Sequence, residues 1–136
     1  MSVIEFLLYS FLFFVLCYIS LHPKSEKILH KILLKLNLNV WLARKLIQVV
    51  KDNNIEKVKE LIESGVDINF QDEDKKTALM YAVFFRYKYI VGLLIEKGAD
   101  LDIQDDYGNT AYDLAKKEGD EDIAKIIENH KLNNNK

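Results

Sequence analysis

QDEDKKTALMYAVFFRYKYIVGLLIEKGADLDIQD, running from Gln71 to Asp105, begins and ends on the same dipeptide. Gln71-Asp72 returns as Gln104-Asp105, Gly65-Val66-Asp67-Ile68-Asn69 as Gly98-Ala99-Asp100-Leu101-Asp102, and Thr77-Ala78 as Thr110-Ala111, each pair 33 positions apart. A fixed period of that size marks a stacked repeat. One supersecondary unit recurs and buries its apolar face only against its neighbours.

Within the unit, Thr77 and Thr110 each precede an apolar-periodic run and carry a hydroxyl suited to capping a helix. Ala82 and Ala115 are small where a first helix must approach its neighbour closely. Val91, Leu94 and Ile95 share one face of a second helix, as Val58, Leu61 and Ile62 do one period earlier. Gly65 and Gly98 then follow the last helical turn as left-handed C-caps. The spacing predicts two antiparallel helices and an extended turn per unit.

These residues also stand in a familiar order. With Asp72, Thr77-Ala78-Leu79, Ala82, Ile90-Val91, Leu93-Leu94 and Gly98-Ala99-Asp100 in register, the chain resembles the ankyrin-repeat family. The third unit supplies Asp105, Gly108, Thr110-Ala111, Ala115, Gly119 and Ile126-Ile127, then fades after Glu128. The first keeps Val58, Leu61-Ile62, Gly65 and Asp67 but has Arg44 and Lys45 in place of the threonine turn. The resemblance covers about 90 of the 136 residues. It implies an all-α fold, a short solenoid of about three helix-turn-helix units at 41–71, 72–104 and 105–132. Departures from the family pattern are informative. Lys75 replaces a turn glycine, so this turn is either strained by about 1 kcal/mol or reshaped. Arg86 and Tyr87 replace the Gly-His pair between helices, and Gly92 inside a second helix signals a close contact or simple drift.

Outward from the repeats, Val3 to Leu21 reads VIEFLLYSFLFFVLCYISL, with Glu5 its only charge. A helix of that length spans roughly 28 Å, close to the hydrocarbon thickness of a bilayer, so residues 1–22 are expected to form a single-pass anchor. A cleaved secretory signal and a buried helix are the competing readings. The first wants a cationic start and small residues at the cut, and this stretch has neither. Lys24, Lys27, Lys31, Lys35, Arg44 and Lys45 all follow it, which places the N-terminus outside and the repeats in the cytoplasm. Residues 23–40 form a basic juxtamembrane helix or linker. Ile28, Leu29, Ile32, Leu33 and Leu36 line one face and Lys24, Lys27, Lys31 and Lys35 another. That helix either lies on anionic lipid through its lysines or covers the first repeat. Asn37 and Asn39 are expected to break it before Val40, and Trp41 either caps the stack, the reading its place beside the repeats favours, or sits at a membrane interface. Residues 133–136 read as a disordered tail.

Charge divides the chain. Residues 1–51 hold seven Lys or Arg against two Asp or Glu, whereas residues 52–136 hold twelve against nineteen. An acidic repeat region repels phosphate backbones, which argues against nucleic acid as partner. Cys17 is the only cysteine, leaving no disulfide framework and no thiolate metal cluster.

In ankyrin-like proteins partners are bound by the turn tips and the concave face of the first helices. The resemblance places Glu73, Asp74, Lys76, Phe84 and Phe85 at those positions in the second unit. Asp106, Tyr107, Asn109, Lys117 and Glu118 take them in the third, and Lys51, Asp52 and Gln71 in the first. Phe84 and Phe85 within YAVFFRYKY would form an apolar spot rimmed by acidic turns, unless they pack inward. Catalysis finds no foothold. His22, His30 and His130 share no spacing, the aspartates of the turns recur because the repeat recurs, and no phosphate-cradling loop or nucleophile motif stands out. A non-enzymatic protein-binding module without cofactor or metal is expected; the alternatives are a structural role, with the repeats packing on the N-terminal helices or in a fixed assembly, and an exported repeat protein with a cleaved signal peptide.

Overall fold

A computed structural model describes residues 23–134 together with Ser10, Phe13 and Phe14. The expected anchor at 3–21 therefore lies outside the described residues, apart from those three positions. Six helices follow in order: α1 Pro23–Lys51, α2 Ile55–Glu63, α3 Ala78–Phe84, α4 Lys88–Glu96, α5 Ala111–Lys117 and α6 Glu121–Asn134. No strand occurs among the described residues. None of their helices is long and apolar enough to cross a membrane. The chain divides into two compact units, residues 1–38 and 39–136.

In the first unit α1 begins at Pro23, a residue suited to the first helical position because its missing N–H would be unpaired there anyway. Lys27, Lys31 and Lys35 are exposed, as are Ile28, Ile32, Leu33 and Leu36; the Lys24 side chain lies outside the described residues. Asn37 and Asn39 do not break the helix, which runs unbroken to Lys51. Their weak propensity costs only about 0.5 kcal/mol each, too little to stop a helix rich in leucine and lysine.

The second unit holds the repeats. The end of α1 supplies Leu46, Ile47, Val49 and Val50 to a buried cluster that continues through Val58, Leu79, Val83, Ile90, Leu94, Ile123 and Ile127. Trp41 does not cap it. Helical geometry puts this residue roughly opposite the face of Ala43, Ile47 and Val50, and it stands 53% exposed with the Lys45 ammonium 4.8 Å from its ring centroid. The first helix of the second repeat, α3, packs on its partner α4 and on α5, and α4 packs on α6 in turn. First helices thus stack on first helices and second on second. The expected all-α repeat stack is observed, and the alanines at 82 and 115 are fully buried where α3 and α5 meet their neighbours.

Local chemistry sets the element ends. The hydroxyl of Thr77 accepts from the Met80 N–H, and Thr110 forms a capping box with Asp113. Asn54 caps α2 by accepting from the Lys57 N–H. The 33-residue register also governs backbone conformation: Asn53, Arg86 and Gly119 all take positive φ between the helices, at 52°, 59° and 69°. Lys75 adopts φ 55° where Gly108 adopts 76°, so the second turn keeps the family geometry and bears the strain. At the C-terminus α6 extends through Asn133 and Asn134, two residues into the segment expected to be disordered; 135–136 lie outside the described residues.

Gly92 proves to have no packing reason. Nothing lies within 4 Å of where its Cβ would stand, and the residue opens a shallow notch beside Lys88, Tyr89, Leu93 and Glu96. Gly92→Ala is therefore expected to stabilise the domain by about 0.5–1 kcal/mol through helix propensity. Thermal melting followed by circular dichroism should show a midpoint a few degrees higher, and a lower midpoint would reveal a contact that the geometry does not contain.

Candidate functional site

The turn preceding α3 is held by Asp72. Its carboxylate accepts from the N–H groups of Asp74 and Lys76 at 3.0 and 2.9 Å and from the Tyr81 hydroxyl at 2.7 Å. One period on, Asp105 is 5% exposed and accepts from the N–H groups of Tyr107 and Asn109, both at 2.9 Å, and from the Asn109 side chain. Burial is the largest single influence on either carboxyl and favours the neutral acid. The donated hydrogen bonds together outweigh it, so both carboxyls titrate below their ordinary range. Tyr81 is pushed the other way, by partial burial and then by the Asp72 carboxylate it donates to.

Adjacent turns are tied together. The Asp106 N–H donates to the Asp74 carbonyl at 3.3 Å, the Gln71 side chain donates to the carbonyls of Lys75 and Gln104, and Lys75 pairs with Asp106 at 3.1 Å. Between the helices the Arg86 guanidinium donates to the Glu118 carbonyl. The residue that departs from the family pattern thus links the second repeat to the third.

Between these turns and the first helices lies a pocket of about 190 Å³, lined by Lys76, Met80, Tyr81, Phe84, Asp105, Tyr107, Asn109, Leu114 and Glu118. Five residues expected from sequence converge there: Lys76, Phe84, Tyr107, Asn109 and Glu118. The others take different places. Phe85 sits beside the pocket, edge-on to Phe84 with centroids 5.2 Å apart and stacked on Tyr87 at 5.6 Å. Glu73 pairs with Arg44, Asp106 with Lys75, and Lys117 donates to the Asn109 side chain. Asp74 contributes backbone bonds to the turn. In the first unit of the stack, Lys51 lies 4.0 Å from the Tyr81 ring centroid and Asp52 accepts from Gln48.

Phe84 and Phe85 are 53% and 41% exposed and Tyr107 is 83% exposed, so the aromatic pair does not pack inward. Sequence reasoning missed Met80, Tyr81, Asp105 and Leu114 as lining residues. Tyr81 and Leu114 occupy equivalent positions one period apart, a signal that becomes readable once the pocket is known. Among the described residues no group of three or more His, Cys, Asp or Glu is arranged to hold a metal ion.

Comparison with known proteins agrees with this geometry. The chain is similar to Serine/threonine-protein kinase 12 of Arabidopsis thaliana, 37% identical over 86 residues. That match covers 63% of this chain and 19% of the kinase, so the chain spans about one fifth of that relative's length. The family described as ankyrin repeats (3 copies) matches residues 46–136. Its members are in general interaction modules rather than catalysts. With the capped helix pairs, the stacked turns and that match in agreement, the chain belongs to the ankyrin-repeat family.

Proposed function

We propose that this chain is a non-enzymatic module, tethered to a membrane, that binds a protein through the first helices and turn tips of its repeats. The observation that carries the reading is the cluster of exposed Phe84, Phe85 and Tyr107 around one pocket. Exposed aromatic residues in a cluster are the composition of a binding hot spot. The same exposure weighs against a purely structural role for the repeats. Phosphoryl transfer, the activity in the relative's name, is no part of the proposal.

Tethering rests on the apolar run at 3–21 and the lysines that follow it. Lys27, Lys31 and Lys35 recur every four residues on α1 and are exposed, which suits contact with anionic headgroups. On this reading residues 3–21 form a single-pass span with the N-terminus outside and the repeats in the cytoplasm. The test is affinity capture from solubilised membranes with the tagged full chain, followed by mass spectrometry. The double substitution F84A/F85A is expected to reduce recovery of specific partners about tenfold or more, since hot-spot truncation costs at least about 2 kcal/mol. Far-UV circular dichroism should be unchanged. Equal recovery by the variant would sink the site, and an intact mass lacking the first 20 or so residues would sink the tether.

A further inference from the structure

The pocket beside Phe84 is lined by aromatic and by charged side chains together. Its lining includes three aromatic side chains, Tyr81, Phe84 and Tyr107, the apolar Met80 and Leu114, and three charged groups, Lys76, Asp105 and Glu118. Aromatic faces and a carboxylate are the two features that together favour a cation.

Lys76 is the one lysine among the lining residues, and the Asp105 and Glu118 carboxylates outnumber it there. Lys51 is an electrostatic neighbour of Asp72, Lys76 of Asp105 and Lys117 of Asp113. Lys116, next in sequence, is spent on Glu121 at 2.8 Å. Arg86 reaches Glu118 but donates to its backbone carbonyl, not to its carboxylate. Among the described residues no ion pair forms at the Glu118 carboxylate, the side chain is exposed, and it lines the pocket. Residues 52–136 as a whole carry nineteen acidic against twelve basic side chains, so the surface around the pocket also favours a basic partner.

We infer that the pocket receives an arginine side chain of a basic partner segment, its aliphatic stem against Met80 and Leu114, its guanidinium on the Phe84 and Tyr107 rings and the Glu118 carboxylate, because Lys51 and Lys76 already lie 4.0 and 5.9 Å from the Tyr81 ring centroid. Arginine fits better than lysine here. Its planar guanidinium stacks on aromatic rings and pairs with a carboxylate through two parallel N–H groups, and it sheds water more readily than an ammonium. About 190 Å³ accommodates one long side chain and excludes a helix. The inference rests on the protein-binding reading above and specifies the chemistry of that partner.

The test uses the full chain, isotope-labelled in detergent micelles, titrated with N-acetyl-arginine methylamide. The norleucine and glutamate analogues serve as the uncharged and anionic arms. Amide signals of Met80, Phe84, Leu114 and Glu118 should shift saturably with the arginine compound, more weakly with norleucine and not with glutamate. Glu118→Gln should weaken the arginine compound about fivefold, the upper range for a solvent-facing ion pair, while leaving the norleucine response unchanged. Norleucine binding as tightly as arginine, preference for glutamate, an unchanged affinity in E118Q, or no saturable shift would each overturn the inference. No protein partner is present in this experiment. Failure here therefore leaves capture by the aromatic surface standing, and F84A/F85A decides that reading separately.

Discussion

Leu94→Ala is expected to destabilise the repeats by about 3 kcal/mol, within the range of about 2–5 kcal/mol measured for buried leucines. Leu94 is fully buried on α4, among Ile90, Val91 and Ile95, where α4 packs on both α3 and α6. Truncation removes the transfer free energy of three carbons and leaves a cavity that rigid helix pairs cannot close. Stack size amplifies the consequence. In a solenoid each unit gains much of its stability from its neighbours, and this one has a single repeat with a neighbour on both sides. A middle repeat that loosens therefore uncouples the outer two. Urea unfolding followed at 222 nm should show the midpoint fall by about 2 M, given a slope of about 1.5 kcal/mol/M for a domain of this size. Leu132→Ala on α6, where the side chain is 59% exposed, serves as the control and should move the midpoint by no more than about 0.3 M. A Leu94→Ala midpoint indistinguishable from that control would mean the second helices do not form the spine of the stack.

The same dependence on neighbours explains which features were legible in the sequence. Hallmark residues recur because identical local geometry recurs: Thr77 and Thr110 cap first helices, and Gly65 and Gly98 end second helices with φ 81° and 88°. Where identity is lost but geometry is kept, register still carries the prediction. Lys75 and Arg86 lie one period before Gly108 and Gly119 and adopt positive φ without being glycine. Local reading failed where tertiary or propensity effects were too weak to see. Asn37 and Asn39 read as breakers but stand within α1, and Trp41 read as a cap but faces solvent.

Half of the candidate site was legible for a similar reason. Lys76, Phe84, Tyr107, Asn109 and Glu118 occupy turn-tip and first-helix positions that a repeat register identifies directly. Tyr81 and Leu114 were hidden because equivalent positions here differ in chemistry, and only their approach across adjacent helices makes them one wall. Asp105 read as a hallmark of the repeat. Its burial shows that a hallmark can also border a site.

Acid is expected to unfold this domain through the aspartates of its turns and of the α5 capping box, and base to weaken it through Tyr81. Asp72, Asp105 and Asp113 all titrate below the ordinary carboxyl range in the folded protein. For Asp113 the leading cause is the hydrogen bond from the Thr110 hydroxyl, joined by that from the Thr110 N–H. A carboxyl whose folded pKa is depressed contributes stability that is complete above its unfolded pKa, about 3.9, and is lost as pH falls through the folded value. Stability should thus be flat near neutrality and decline from about pH 5 downward. Tyr81 has the opposite sign. Its folded pKa is raised, so its contribution is complete below the unfolded value of about 10 and fades as pH rises beyond it. Asp105→Asn isolates the acid limb. The amide retains one acceptor for three donors, so stability at pH 7 should fall by about 1–2 kcal/mol. The decline between pH 5 and 2 should become shallower, because one carboxyl no longer takes up a proton on unfolding. Urea midpoints collected from pH 3 to 11 for the parent, D105N and Tyr81→Phe measure both limbs. An acid slope in D105N equal to the parent's would remove Asp105 as a cause, and a base limb surviving intact in Y81F would remove the tyrosine.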